Sequence, residues 1–516
     1  MRSGPHVSEG RREMRAATVV TRLILSMAPV LSIIPILTAV ESSPMETVLI
    51  PSSSPLVSFR ILFRVGSAAD PQGKEGLASL TAALLAGGGS AKRSYAEIVE
   101  AMYPMAASFS AQVDKEMTVF YGTTHLDNLR KYFGLISEML LEPGWRGEDF
   151  NRVKTDAINF LKVNLRGTND EELAKEALYQ SVYRAHPYGH DNTGRVSTLE
   201  KLTLDDLRNF YREKYTAENL TLGLSGGYPQ DFLAEAKARF GTLPRGARPA
   251  PALPGPPAIS GLEVEIVEKK ARATAISLGF PLDVTRGHKD WPALYLMQSY
   301  FGQHRSSTSY LYQRLRELRG LNYGDYAYIE YYPRGMFLVH PEPNLARRQQ
   351  IFQIWIRPVE PQNAHFALRA ALYELEKLVK NGITQNDFES TRRFLSKFVN
   401  VLTRTQDLQL GYLLDSKYYG IPEFTDYVKK ELARLTLADV NRAIREHLQA
   451  ANMKIVIVSG EAEKLKKALV NNTPSPIQYN APKPQELLDE DKIIENYPLR
   501  ISSDKVRIVP ADAVFQ

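Results

Sequence analysis

Nine histidines and no cysteine restrict the metal and acid–base chemistry open to this chain of 516 residues. Without thiols, disulfides and thiolate metal sites are excluded. One stretch has histidines close enough to suggest a metal, His186-Pro-Tyr-Gly-His190-Asp191. Histidines at i and i+4 share a face only on a helix, and Pro187 and Gly189 favour a turn. No other histidine pair has the H-E-x-x-H or H-x-x-E-H spacing that offers two imidazoles and a carboxylate to one zinc ion. Residues 76–89, GLASLTAALLAGGG, read as a helix between a strand-like run, residues 57–65, and the cluster Gly87-Gly88-Gly89. That helix carries no zinc-binding side chain and no base. The glycines are not a phosphate loop, since no Gly-Lys-Ser/Thr follows; they suit a helix end, where a left-handed residue is needed.

The elements around these residues fall into two halves. Pro244 to Pro257, PRGARPAPALPGPP, holds six prolines in fourteen residues and reads as a semi-rigid linker. Residues 202–215 and 435–448 echo each other at an offset of 233, each opening with a capping box, Thr203 to Asp206 and Thr436 to Asp439. Each is followed by Asn219 or Asn452 and a strand-like run ending in Ser-Gly, NLTLGLSG and NMKIVIVSG. The halves also begin alike: strand-like residues 275–281 precede an amphipathic helix over 291–301, as residues 57–65 precede the 76–86 run. An offset this long suits a duplicated domain rather than a solenoid. Strands mixed with long helices point to α+β domains with helices packed on one sheet face.

Over roughly residues 47–470 the chain resembles the M16 family (pitrilysin, insulinase and mitochondrial processing peptidase). The resemblance rests on residues 66–70 (GSAAD), 75–78 (EGLA), the glycine cluster and His186-Pro-Tyr-Gly189. It implies two homologous M16-type, LuxS/metallohydrolase-like domains, each with helices on a mostly antiparallel sheet. The expected boundaries are an N-terminal domain over 47–243, a linker over 244–262, a C-terminal domain over 263–470 and an extended arm over 471–516. In the family the first helix carries H-x-x-E-H, and a glutamate about 75–80 residues later completes the zinc site. The matching positions here are Ser79, Ala82 and Ala83, and the glutamate's counterpart region, Ala157 to Asn164, has no acid. Asp156 is the nearest carboxylate and matches a supporting glutamate rather than the ligand. The resemblance makes H-P-Y-G a structural loop.

The same resemblance picks out Arg316 and Tyr323, which match an R-x-x-x-x-x-x-Y element that faces the zinc site across a cavity. An arginine can fork to a peptide carbonyl or carboxylate, and a tyrosine hydroxyl can donate to a developing oxyanion; a surface helix of alternating arginines ending at Gly320 is the plainer reading. The strand candidate at 107–113 matches the family's edge strand, which takes up substrate by strand addition, a mode that needs only backbone groups. A core strand fits it equally well. The tail from Ile477 reads as an arm that wraps a partner.

Hydrophobic content of 44% with 24% charge is ordinary for a folded protein, and the length suits two to four domains. A basic region before an uncharged run, Leu23 to Val40, reads over residues 1–40 as an export leader, with a retained membrane anchor as the alternative. The leader holds +3 of the formal +6, and the remaining +3 with no basic–aromatic cluster argues against nucleic acid. The expectation is therefore an exported, periplasmic or extracytoplasmic chain that touches a membrane only if the leader is retained. It binds no metal itself and supplies peptide-binding residues to a homologous partner that carries H-x-x-E-H and zinc. The rival is a structural or binding protein that has left proteolysis; an active peptidase using an unrecognised site is a third reading.

Overall fold

The computed structural model describes residues 45–246 and 253–516. The expected leader, residues 1–40, lies outside them, as does the middle of the linker. The chain divides into two units, Met1–Pro44 and Met45–Gln516, and the second carries both sheets and every described helix. No helix among the described residues is long and apolar enough to cross a membrane.

Among the described residues, eleven strands form two sheets. The first contains β1 (Glu46–Pro51), β2 (Leu56–Phe63), β3 (Ser110–Val113), β4 (Thr118–His125) and β5 (Leu220–Gly226), in the order β1-β5-β2-β4-β3. The second contains β6 (Leu262–Glu268), β7 (Thr274–Leu282), β8 (Asp325–Tyr328), β9 (Gln350–Val359), β10 (Met453–Ser459) and β11 (Val506–Pro510), in the order β11-β6-β10-β7-β9-β8. Apart from β11, the second order repeats the first strand for strand, with one parallel pair in each, β1–β5 and β10–β6. The expected pair of homologous α+β domains is what the chain forms. Both capping boxes are present, starting helices Leu204–Lys214 and Leu437–His447.

A sheet with helices on one face leaves the other to be covered, and here each half covers the other. Helix Asp170–Val182 of the first half packs on β7 and β10, while helix Gln406–Tyr419 of the second packs on β1, β2 and β5. With both faces covered, β5 and β10 are almost wholly buried, and β10 carries the apolar run Ile455 to Val458. Polar groups at these contacts are matched. Tyr179 donates to Gln353 Oε1 at 2.6 Å and Tyr183 to the Gln350 carbonyl at 2.6 Å. Across the other contact Arg60 reaches Asp407 at 2.7 Å and Asn344 Oδ1 at 2.7 Å. A Cβ at Gly411 would stand 2.4 Å from Pro343 Cγ, so the close approach there requires glycine.

The tail departs from the expected extended arm. It forms helix Gln485–Glu495, then β11, which pairs in parallel with β6 of its own chain. Arg319, itself buried, donates to Asp491 and Glu490 at 2.8 Å each and fixes that helix. Beyond β11, Val514 and Phe515 are buried in the first half's core, and the Phe515 carbonyl accepts the Val196 N–H at 2.9 Å. The tail thus laces the two halves together. Its buried apolar positions are spread over several short elements, so no single period stood out in the sequence.

Candidate functional site

Helix Leu77–Gly87 is positioned by its N-terminal end. The Asp70 carboxylate accepts the N–H groups of Gly76 and Ala78 at 2.7 and 2.8 Å, capping the helix from outside its first turn. The His186–Asp191 segment is tied to the same point. His190 Nε2 lies 3.3 Å from Asp70 Oδ2, and Lys115 donates to the His190 carbonyl. His186 Nδ1 accepts the Tyr188 N–H at 3.0 Å, which leaves Nε2 to donate to the Pro254 carbonyl at 3.0 Å. Asp191 accepts the Thr193 N–H at 2.7 Å. Burial pushes both imidazoles below their usual pKa. Each of the three polar side chains is thus engaged within the turn or ties it to a neighbouring segment.

On the helix, Ser79, Ala82 and Ala83 offer one hydroxyl and two methyl groups. Ala82 is fully buried, and Ser79 and Ala83 are half-buried. The region matching the third ligand runs from helix Gly147–Asn159 into a wide π-type turn, Phe160–Leu165, where Phe160 and Val163 are exposed. Asp156 is exposed on the helix surface. A catalytic zinc needs three nitrogen, sulfur or carboxylate donors around an open position. These residues do not fit that metal, and no catalytic step can be routed through it here.

Another trio, His288, Asp290 and His447, has ligand atoms within 4.8 Å of one another. Asp290 is already engaged by Arg442 at 2.6 Å, His447 at 2.9 Å and Lys289 at 3.0 Å. A divalent cation would sit against two fixed positive charges, so the trio acts as an ion-pair anchor at the start of helix Trp291–Gly302.

Between the halves lies a cavity of about 390 Å³. One wall is β3, with Ala111, Gln112 and Val113 facing it. β3 pairs with β4 on one side; among the described residues no backbone group bonds its other edge. The Gln112 side chain donates to the carbonyls of Pro343 and Asn344 at 3.0 and 3.1 Å, which holds the segment between β8 and β9 against this strand. Phe160 and Phe337 stand at the apolar end.

The remaining wall is acidic, with Glu172, Glu176, Asp191 and Glu342 lining it and Arg334 paired to Glu342. Glu172 and Glu176 lie at i and i+4 on helix Asp170–Val182 and so share a face. Glu172 accepts the Met336 N–H at 3.0 Å, and Glu176 accepts the Tyr331 hydroxyl at 3.1 Å. Burial, then the charges of Asp191 and Glu172, push the Glu176 carboxyl up to about 8. Beneath this wall Arg347 forks onto Asp114, with Nε 2.6 Å from Oδ2, and stacks 3.7 Å from the Tyr331 ring centroid. Lys175, fully buried, donates to the Tyr332 carbonyl at 2.7 Å and lies 4.7 Å from the Trp355 ring centroid.

Residues 47–194 match the family description Insulinase (Peptidase family M16), and residues 201–395, which run from the end of the first half into the second, match Peptidase M16 inactive domain. The chain belongs to peptidase family M16. A zinc protease of uncharacterized function from Mycobacterium tuberculosis (strain H37Rv) is 22% identical over 376 residues, 72% of this chain and 81% of that one. The peptidase M16 inactive domain from Pseudomonas fluorescens has a similar structure, with a TM-score of 0.69 and 22% identity over 80% of this chain and 94% of that one. The periplasmic protease PqqL from Escherichia coli is similar at a TM-score of 0.64 and 15% identity, over 87% of this chain and 49% of that one.

Within this M16 fold, Arg316 and Tyr323 do not line the cavity. Arg316 pairs with Glu317 and stacks 5.1 Å from the Tyr312 ring centroid, while Tyr323 is 76% exposed. Their neighbours Arg314 and Arg319 hold Glu374, Glu490 and Asp491, so two of the three arginines in the run are structural. The acidic wall was not anticipated from sequence. The E-x-x-x-E spacing of Glu172 and Glu176 marks a shared face, but only the fold turns that face into a cavity.

Proposed function

We propose that this chain is a non-catalytic M16 subunit that holds an extended peptide along β3 while a zinc-bearing homologue cleaves it. The observation that carries this reading is the cavity beside an unpaired strand edge, next to a helix whose zinc positions are Ser79, Ala82 and Ala83. A peptide strand added to β3 takes its affinity from main-chain hydrogen bonds and its preference from the walls. Those walls favour a cationic side chain. A peptide with lysine at one position is expected to bind at least about tenfold more tightly than its norleucine counterpart, as one well-placed charged contact supplies. Fluorescence anisotropy with both peptides checks this, and equal affinities would remove the acidic wall from recognition.

The division of labour has its own test. The purified chain alone is expected to hold no stoichiometric zinc and to cleave no peptide, and the mixture with an H-x-x-E-H homologue is expected to cleave. Stoichiometric zinc and turnover by the chain alone would sink the reading. Arg316 and Tyr323 are the residues offered to the partner's site, and Arg316→Ala or Tyr323→Ala should lower turnover by the pair about a hundredfold, as loss of an oxyanion donor does. The ion pair of Arg316 with Glu317 and its place outside the cavity lining favour a second reading, a binding protein without a role in proteolysis. That reading expects both variants to behave as wild type. Export fits the N-terminal leader pattern and the periplasmic setting of the similar PqqL structure.

A further inference from the structure

The two halves diverge at one matched connection. In the first half residues 114–117 join β3 to β4, a hairpin loop of ordinary length. The equivalent strands of the second half, β8 and β9, are joined by residues 329–349, which form turns and bends but no helix or strand. Irregular connections of that length are uncommon in a compact domain and usually serve a binding site. This insert reaches the cavity, where Tyr331, Pro333, Arg334, Phe337, Glu342 and Leu345 all line it.

The insert is fixed at three levels. At its neck Arg334 pairs with Glu342 and brings the two limbs together. At its tip Arg305 donates to the Met336 carbonyl at 2.6 Å, and His304 Nε2 donates to the Leu338 carbonyl at 2.8 Å. A Cβ on Gly335 would stand 2.8 Å from the Trp355 ring, so the tip is pressed onto β9 there. On the return limb Asn344, fully buried, donates its N–H to Asp415 at 2.9 Å, and the Gln112 side chain of β3 holds the carbonyls of Pro343 and Asn344. The insert is thus a wall and not a loose flap. Beside it β3 offers little room. The strand has four residues, a span of about 13 Å. Asp114, the next residue, is enclosed by Arg347 of the return limb. The cavity of about 390 Å³ lies near the lower end of the range of about 300–1,000 Å³ usual for small-ligand sites.

We propose that the insert closes one end of the peptide site, so that this chain holds oligopeptides of about four residues and not a polypeptide running through. The inference rests on the peptide-holding reading and sets the length of what is held. A peptide added to β3 finds main-chain partners along that short strand only, and one of its ends meets the insert. Additional residues are accommodated at the other end alone. Discrimination then comes from a steric block against longer ligands, with no new attractive contact needed.

The test is calorimetry with the full chain and four peptides, all acetylated and amidated so that no terminal charge differs. The first is Ala-Lys-Ala-Ala; the others carry extra alanines at the N-terminal end, at the C-terminal end, or at both. The shortest peptide and one singly extended peptide should bind alike. The other singly extended peptide and the doubly extended one should bind at least about tenfold more weakly. Replacing residues 336–341 by Gly-Gly shortens the tip while the Arg334–Glu342 pair keeps the limbs joined. In that variant the doubly extended peptide should bind within about threefold of the shortest one. Should the shortened chain fail to fold, Phe337→Gly removes only an exposed side chain from the cavity lining and should raise the affinity of the doubly extended peptide at least about threefold. If the doubly extended peptide binds wild type as tightly as the shortest one, the site is open at both ends and the inference is overturned while the peptide reading stands. A penalty that neither variant relieves places the closed end elsewhere and overturns it as well. If none of the four peptides binds, the peptide reading itself fails and the inference with it.

Discussion

Replacing Arg347 by alanine is expected to destabilise the fold by about 3–5 kcal/mol, the cost of leaving a buried charge uncompensated. Arg347 and Asp114 are both fully enclosed, Arg347 coming from the segment before β9 and Asp114 from the turn after β3. Asp114 also accepts the Asn192 side-chain amide at 3.1 Å, and its carbonyl accepts the Ser67 N–H at 2.9 Å, so it cannot swing out to water without breaking the first half's own loops. Alanine removes the guanidinium and its stacking on Tyr331 together. Urea unfolding followed by far-ultraviolet circular dichroism measures the loss. The double variant Arg347→Met/Asp114→Leu removes both charges and should recover most of it, because an apolar pair of similar volume is tolerated where a lone charge is not. A single-variant loss below about 1 kcal/mol would mean that water reaches the pair and that the halves are less tightly joined there.

Glu176→Gln should abolish a fall in stability with rising pH. The Glu176 carboxyl is pushed from 4.5 to about 8, by burial first, then by Asp191 and Glu172, against the opposing pull of Lys175 and Arg347. Between those two values the folded chain keeps a proton that the unfolded chain has released. Stability due to this group is therefore fully present below the unfolded value and is lost as pH climbs toward 8, by up to about 1.4 kcal/mol per pH unit. Glutamine is neutral throughout and keeps an acceptor for the Tyr331 hydroxyl. Relative to wild type, the variant should gain about 2 kcal/mol between about pH 6 and pH 8, read as a difference of denaturation midpoints at matched m-values. A constant offset between the two proteins across that range would show that Glu176 ionises freely. A lysine peptide should bind wild type more tightly as pH rises, since the bound cation displaces the same proton.

Local chemistry was legible in the sequence because it depends on near neighbours. The Thr203–Asp206 and Thr436–Asp439 boxes start their helices at those threonines, and the two Ser-Gly strands are β5 and β10. The 233-residue echo anticipated a duplicated domain, which the strand order shared by the two sheets matches, and the expectation of no zinc donor at Ser79, Ala82 and Ala83 rests on residue type alone. What pairs across the chain was not legible. The tail expected to reach for a partner lies on β6 and ends in the first half's core, because an edge strand and an apolar pocket of the same chain stand within its reach. Helices Asp170–Val182 and Gln406–Tyr419 exchange sheets, which no period in either helix encodes. That exchange brings Glu172 and Glu176 to the unpaired edge of β3 and creates the cavity, while leaving Arg316 and Tyr323 outside it. Sequence alone determined the family and the duplication, and the expectation that Ser79, Ala82 and Ala83 hold no zinc, since these reside in residue identity and short spacing. Tertiary structure alone decided which side chains share a site, since burial and opposing charges arise only when distant segments meet.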